Sequence, residues 1–140
     1  MSRVLLDRQW SATLRDVPEI VAVVADAASA QLPPERLLKV ELAVEEAVVN
    51  VCRHGYGGEA GWLRVRVRED DGEITVDLAD RAAEFNPLAQ ASPDLSGDLT
   101  TRAVGGMGIH LIRNVCDRVE YARANQQNVL RLVFEISPSS

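Results

Sequence analysis

Three polar side chains, Glu46, Asn50 and His54, recur at intervals of four residues inside an otherwise apolar stretch. On an α-helix that spacing stacks them on one stripe, a turn apart. Asn and Glu carry oxygen donors of the kind Mg²⁺ prefers, in a near-octahedral shell that keeps waters and substrate phosphates. Asn50 offers such a neutral oxygen. Glu46, one turn earlier, offers a carboxylate that can accept a proton from an attacking hydroxyl. A plainly solvated surface stripe has the same periodicity, so spacing alone leaves both readings open.

A second feature is the turn Gly105-Gly106-Met107-Gly108, which opens a helix running to about Cys116. Residues without Cβ let backbone N–H groups approach an anion, and the positive end of the following helix points the same way. A glycine-rich connector with no ligand reads identically. Asp80, at the end of the alternating segment 74–78, is by type and place a turn residue.

The elements that must carry these groups follow from pattern. Residues 3–10 read as a short extended stretch. Asp16-Val17-Pro18-Glu19 has the form of a helix start with Asp16 as N-cap, opening a helix over about 18–31. Pro33-Pro34 breaks it, and apolar residues at Leu37, Leu38, Leu42, Val44, Val48, Val49 and Val51 predict a long second helix over 34–54, stopped by Gly55. Strict alternation over 62–68 and 74–78 around Asp70-Asp71-Gly72 predicts a β-hairpin with one wet face. The stretch 86–104, rich in Pro, Gly, Ser and Asp, is a loop long enough to act as a lid. Two strands over 119–123 and 129–136, joined by the polar turn Asn125-Gln126-Gln127-Asn128, end the chain before a frayed tail.

Composition narrows the function. The chain has 140 residues, 46% of them hydrophobic, enough for one core in one α+β or α/β domain. A net charge of −6 argues against a nucleic-acid partner, which requires a surplus of Lys and Arg facing phosphates. No apolar run approaches the roughly 20 residues of a membrane span, so a cytoplasmic protein is expected. The two cysteines, Cys52 and Cys116, are far apart and flanked by Val, as core residues are. With two histidines and no clustered thiols, a zinc site lacks ligands.

Taken in order, three sets of residues match one known arrangement: Glu45-Glu46-Ala47-Val48-Val49-Asn50 with His54-Gly55-Tyr56; Asp80 followed by Phe85-Asn86-Pro87; and Gly106-Met107-Gly108-Ile109-His110-Leu111-Ile112. Together they resemble the bacterial anti-sigma factor serine kinases of the RsbW type, within the histidine-kinase-like (GHKL) ATPase superfamily. The likeness covers almost the whole chain.

The resemblance implies an α/β (α+β) two-layer sandwich: a mixed, largely antiparallel sheet, helices on one face, and a nucleotide between the helix layer and a lid at about 87–105. It makes Asn50 the Mg²⁺ ligand, Glu46 the general base and Asp80 the acid that reads the adenine amino group. ATP contacts carry over to Arg53, His54, Gly55, Ala82, Phe85 and Asn86, and on the phosphate side to Gly105, Gly106, Met107, Gly108, Ile109, His110 and Leu111. Asn128 stands where many members place a Thr near the adenine; His110 is given no chemistry of its own.

Members of that family sequester a sigma factor and phosphorylate a Ser on a small STAS-like anti-anti-sigma antagonist, and homodimers are common among them. The box that usually reads Asp-x-Gly-x-Gly-Phe is here Asp80-Arg81-Ala82-Ala83-Glu84-Phe85. If the backbone at Ala82 needs a positive φ, its methyl costs about 1 kcal/mol. That departure keeps a second reading alive: a binding module that regulates by sequestering a partner, with little or no use of nucleotide.

Overall fold

The structure is a computed structural model and describes residues 2–89 and 106–137. Most of the expected lid, together with Gly105 and the last three residues, lies outside the described residues. Eight elements build the fold: β1 (Ser2–Ala12), α1 (Val17–Ala28), α2 (Pro34–Asn50), β2 (Gly61–Asp70), β3 (Glu73–Asp80), α3 (Gly106–Val115), β4 (Arg118–Ala124) and β5 (Gln127–Glu135). The strands form one sheet in the order β1-β2-β3-β5-β4. Each of its four pairings is antiparallel, in keeping with the largely antiparallel sheet expected.

Turn chemistry sets the two hairpins. β2 and β3 are joined through Asp71 and Gly72, at φ 43° and 86°. Two consecutive positive φ values match the strand twist, and Asp-Gly is the favoured pair for them. The β4–β5 turn is tighter than the four polar residues suggest. Asn125 and Gln126 alone turn the chain, at φ 54° and 61°, so Gln127 and Asn128 belong to β5.

Period-2 alternation then sorts the sheet into two faces. Leu63, Val65 and Val67 of β2, Ile74, Val76 and Leu78 of β3, and Leu132 and Phe134 of β5 are buried against the helices. The helices answer with Ile20 and Val24 of α1, Val40, Ala43, Val44, Ala47 and Val48 of α2, and Ile112 of α3. Each large aliphatic side chain among them contributes about 1.5–3 kcal/mol by leaving water. The small Ala and Val residues let α2 lie close to the sheet.

The opposite face is wet and charged. Arg64 makes a two-pronged contact with Asp7, at 2.8 and 2.6 Å, which holds the Asp7 carboxyl below its ordinary range. Arg68 and Arg131 share Asp77. Val133 and Thr75 are nevertheless buried on this side of the sheet.

Two helix boundaries differ from the sequence pattern. Asp16 does not cap α1; its carboxylate turns back and accepts hydrogen bonds from the Thr13 N–H at 2.9 Å and the Thr13 hydroxyl at 3.1 Å, closing a short 3-10 turn over Leu14–Asp16. The second helix is α-helical only to Asn50. Val51–Gly55 then form one π-helical turn, in which Tyr56 N–H donates to Val51 C=O at 3.1 Å, five residues back. Such wide turns recur at functional sites because they re-aim the side chains that follow.

Candidate functional site

A cavity of about 320 Å³ opens between the end of α2 and the edge formed by β3, β4 and β5. From the helix side Asn50, His54 and Gly55 line it; from the sheet side Asp80, Ala82, Phe85 and Asn128 do. The structure therefore brings together residues that are 78 positions apart at the extremes, Asn50 and Asn128.

Cross-strand register explains the sheet side. Asp80 is the last residue of β3 and pairs directly with Asn128 of β5, which pairs in turn with Arg123 of β4. Asp80 and Asn128 point to the helix-covered face and are buried, at 7% and 6% exposure. A buried carboxylate must have partners. Asp80 Oδ1 accepts the Ala82 N–H at 3.0 Å and one Asn128 Nδ2–H at 2.9 Å. Its other oxygen, Oδ2, takes no hydrogen bond from the described residues.

Asn128 is more heavily engaged. Its Nδ2 also donates to Ala83 C=O at 3.0 Å, while its Oδ1 accepts the Phe85 N–H at 3.2 Å and the Tyr121 hydroxyl at 2.6 Å. Burial, aided by the Glu84 carboxylate, pushes the Tyr121 phenol above its ordinary range. Arg123 adds a hydrogen bond to Ala82 C=O at 2.9 Å.

The helix side is quite different. Glu46, Asn50 and His54 make no side-chain hydrogen bond or ion pair with any described residue. Glu46 is half-buried on the turn before Asn50 and lies just outside the cavity lining. His54, within the π turn, faces the cavity beside Gly55.

Two contacts tie the sides together. A Cβ placed on Gly55 would stand 3.1 Å from the Ala82 Cβ, so the helix end and the loop after β3 nearly touch. The Tyr56 hydroxyl accepts the Arg81 N–H at 2.8 Å and donates to Trp62 C=O at 2.7 Å.

Other expected residues lie outside the lining. Arg53 and His110 are exposed, and Leu111 is half-buried one residue before Ile112, which does line the cavity. The Asn86 side-chain oxygen accepts the Leu88 N–H at 2.9 Å, a local turn leading into a 3-10 segment at Pro87–Ala89. Gly106 begins α3, with Met107, Gly108 and Ile109 in its first turn.

Ala82 shows no strain. Among the described residues the non-glycine positions with positive φ are Asp71, Asn125 and Gln126, so the methyl at 82 sits on ordinary backbone. Pattern reading missed Tyr121, Arg123, Ala83 and Leu130. Tyr121 and Arg123 could have been found from the Val119-Tyr121-Arg123 alternation, which puts all three on the inner face. Burial of the thiols agrees with a core role: Cys52 and Cys116 are buried, and the Cys116 thiol is pushed up to about 12. No cluster of metal-binding side chains occurs among the described residues, and no described helix is long and apolar enough to cross a membrane.

An α-helical layer thus packs on a five-stranded antiparallel sheet, with a cavity between the second helix and an inward acid at the end of β3. Residues 10–134 match the family model described as the histidine kinase-like ATPase domain, and the chain belongs to that family. It is 28% identical over 100 residues to the serine/threonine-protein kinase BtrW of Bordetella bronchiseptica, covering 71% of this chain and 70% of that one. It is 27% identical to an anti-sigma F factor of Thermoanaerobacter, over 69% of each chain, and 30% identical to the serine-protein kinase RsbW of Bacillus pumilus, over 61% of this chain and 57% of that one. Among solved structures, the RsbU and RsbW domains of Rv1364c from Mycobacterium tuberculosis share the fold, with a TM-score of 0.62 at 12% identity over 93% of this chain. The present chain spans 32% of that one.

Proposed function

We propose that this chain is an ATP-dependent protein-serine kinase and partner-switching regulator, which phosphorylates a Ser on a STAS-like antagonist and sequesters a sigma factor or an equivalent target. The observation that carries this reading is the cavity with two unlike ends. At the sheet end a buried carboxylate keeps one oxygen open; at the helix end Glu46 and Asn50 stand without partners among the described residues. Relatives whose names include serine-protein kinase and anti-sigma F factor support it.

The residues suit a nucleotide. Asp80 Oδ2, which takes no hydrogen bond from the described residues, would accept one from the amino group of a base, and Gly55, Ala82 and Leu130 line the same cavity. Asn50 would hold Mg²⁺, which when bound offsets charge on the phosphates. The N-terminal turn of α3, Gly106 to Ile109, would offer backbone N–H groups and the positive end of a ten-residue helix to the phosphates.

Glu46 takes the proton of the Ser hydroxyl as that oxygen bonds to the γ-phosphorus. The bond from the γ-phosphorus to the β–γ bridging oxygen breaks, and ADP leaves. The product phosphoserine carries about −1.5 to −2 charge. Next to a chain of net charge −6 it is repelled, so the modified antagonist dissociates and the target can be bound.

Calorimetric titration of the purified protein with ATP and Mg²⁺ tests the reading. Saturable binding in the micromolar range is expected; no detectable binding at millimolar nucleotide removes it. The binding-module alternative gains nothing from Ala82, whose backbone is unstrained.

A further inference from the structure

The family's usual small-residue box is missing here, yet the loop after β3 is held firmly, and what holds it is the β4–β5 hairpin. The amide of Asn128 has two N–H groups and an oxygen that can accept twice. All are used inside the protein: the N–H groups by Asp80 Oδ1 and Ala83 C=O, the oxygen by the Phe85 N–H and the Tyr121 hydroxyl. No capacity is left for a ligand. The orientation of the amide is set by these neighbours, because reversing it would turn its N–H toward the Phe85 N–H and its oxygen toward two acceptors, Asp80 Oδ1 and Ala83 C=O.

We propose that Asn128, backed by Tyr121 and Arg123, is the positioning residue of base recognition. It ties down one oxygen of Asp80 so that Oδ2 faces the cavity, and it fixes Ala82 to Phe85 as the wall beside the base. A glycine-bearing loop would reach its shape through backbone freedom; this one, with Ala82 and Ala83 at negative φ, reaches it through cross-strand side chains. Asn128 acts through Asp80 and touches no ligand itself. The inference rests on the reading of the cavity as an ATP site with Asp80 at the base.

The test is the affinity of the full chain for ATP and for ITP, both with Mg²⁺. ITP carries a 6-keto oxygen where ATP has the amino group. A hydrogen bond to a carboxylate makes the wild type favour ATP by about 10- to 100-fold. In Asn128→Ala, ATP affinity falls about 10-fold toward that of ITP, while ITP affinity changes less than about twofold. Asp80→Asn marks complete loss of the preference.

Tyr121→Phe removes a single hydroxyl and leaves the fold intact; it lowers ATP affinity by about 3- to 5-fold and spares ITP. It carries the test by itself if Asn128→Ala does not fold. Equal losses for the two nucleotides, or no loss, overturn the proposal, since a merely structural role weakens both alike. A wild type that binds ATP and ITP equally also overturns it, whereas a wild type that binds neither overturns the ATP reading beneath it.

Discussion

The two ends of the cavity differ in how their polar groups are used. At the sheet end, Asp80, Asn128, Tyr121 and Arg123 form a network in which the Asn128 amide is saturated. At the helix end, Glu46, Asn50 and His54 meet no described partner. Buried polar groups are expensive unless paired, so the first arrangement is what a stable interior demands. The second arrangement is at the solvent-accessible end, where half-buried or exposed side chains need no protein partner. Under the proposed function, that end would do the chemistry.

That division can be broken most sharply at Glu46. Removing a general base lowers phosphotransfer by about 10²–10⁴-fold. Glu46→Gln is expected to lose phosphotransfer on that scale while ATP binding stays within about threefold, measured by phosphoserine formation on the antagonist and by nucleotide titration. Equal loss of both would move Glu46 from the proton to the nucleotide. Next in size is the saturated end. Asn128→Asp preserves shape but sets a second carboxylate against Asp80, now 2.9 Å from the amide nitrogen. A cost of about 3 kcal/mol is expected in urea denaturation at pH 7. The loss should shrink as the pH is lowered from 7 toward about 4, because a carboxyl held against a like charge takes up its proton above the value it has in the unfolded chain; a loss independent of pH would mean that lost packing, not charge, is responsible.

How much of this was legible in the sequence depends on the reach of the interaction. The Glu46–Asn50 stripe is a local period and was readable, as was the Asp71-Gly72 hairpin, where residue type and backbone demand coincide. The π turn was not, because nothing in Val51-Cys52-Arg53 distinguishes a bond five residues back from one four residues back. Asn128 was read as part of a turn since Asn125 to Asn128 are all polar; two of them suffice to turn the chain, and a strand then carries a polar side chain inward. The clamp itself depends on three strands in register, which no local pattern encodes. Ala82 illustrates the converse: a departure from a motif suggested strain, and the observed backbone carries none.

Where the two ends meet, the expected effect is smaller. Gly55→Ala brings a Cβ within 3.1 Å of Ala82, tighter than ordinary contact, and should cost about 1 kcal/mol, measured by thermal or urea denaturation. Ala82→Gly in the same chain should recover most of that loss. A double mutant as unstable as Gly55→Ala alone would show that the two residues do not compete for space, and the ends of the cavity would then be coupled through Tyr56 rather than through this contact.

The smallest effect is expected where the comparison predicts none. An unpartnered Asn near the C-terminus of α2 adds nothing to folding, and Ala is the better helix former by about 0.5 kcal/mol. Asn50→Ala should therefore unfold within about 0.5 kcal/mol of the wild type, yet lose the Mg²⁺-dependent part of its ATP affinity, seen by titrating with and without EDTA. The pairing of the two results is what matters. Unchanged stability with lost metal dependence is the behaviour of a donor held in reserve for a ligand. Lost stability would mean that Asn50 belongs, like Asn128, to the framework, and that the helix end of the cavity is held together by its polar groups after all.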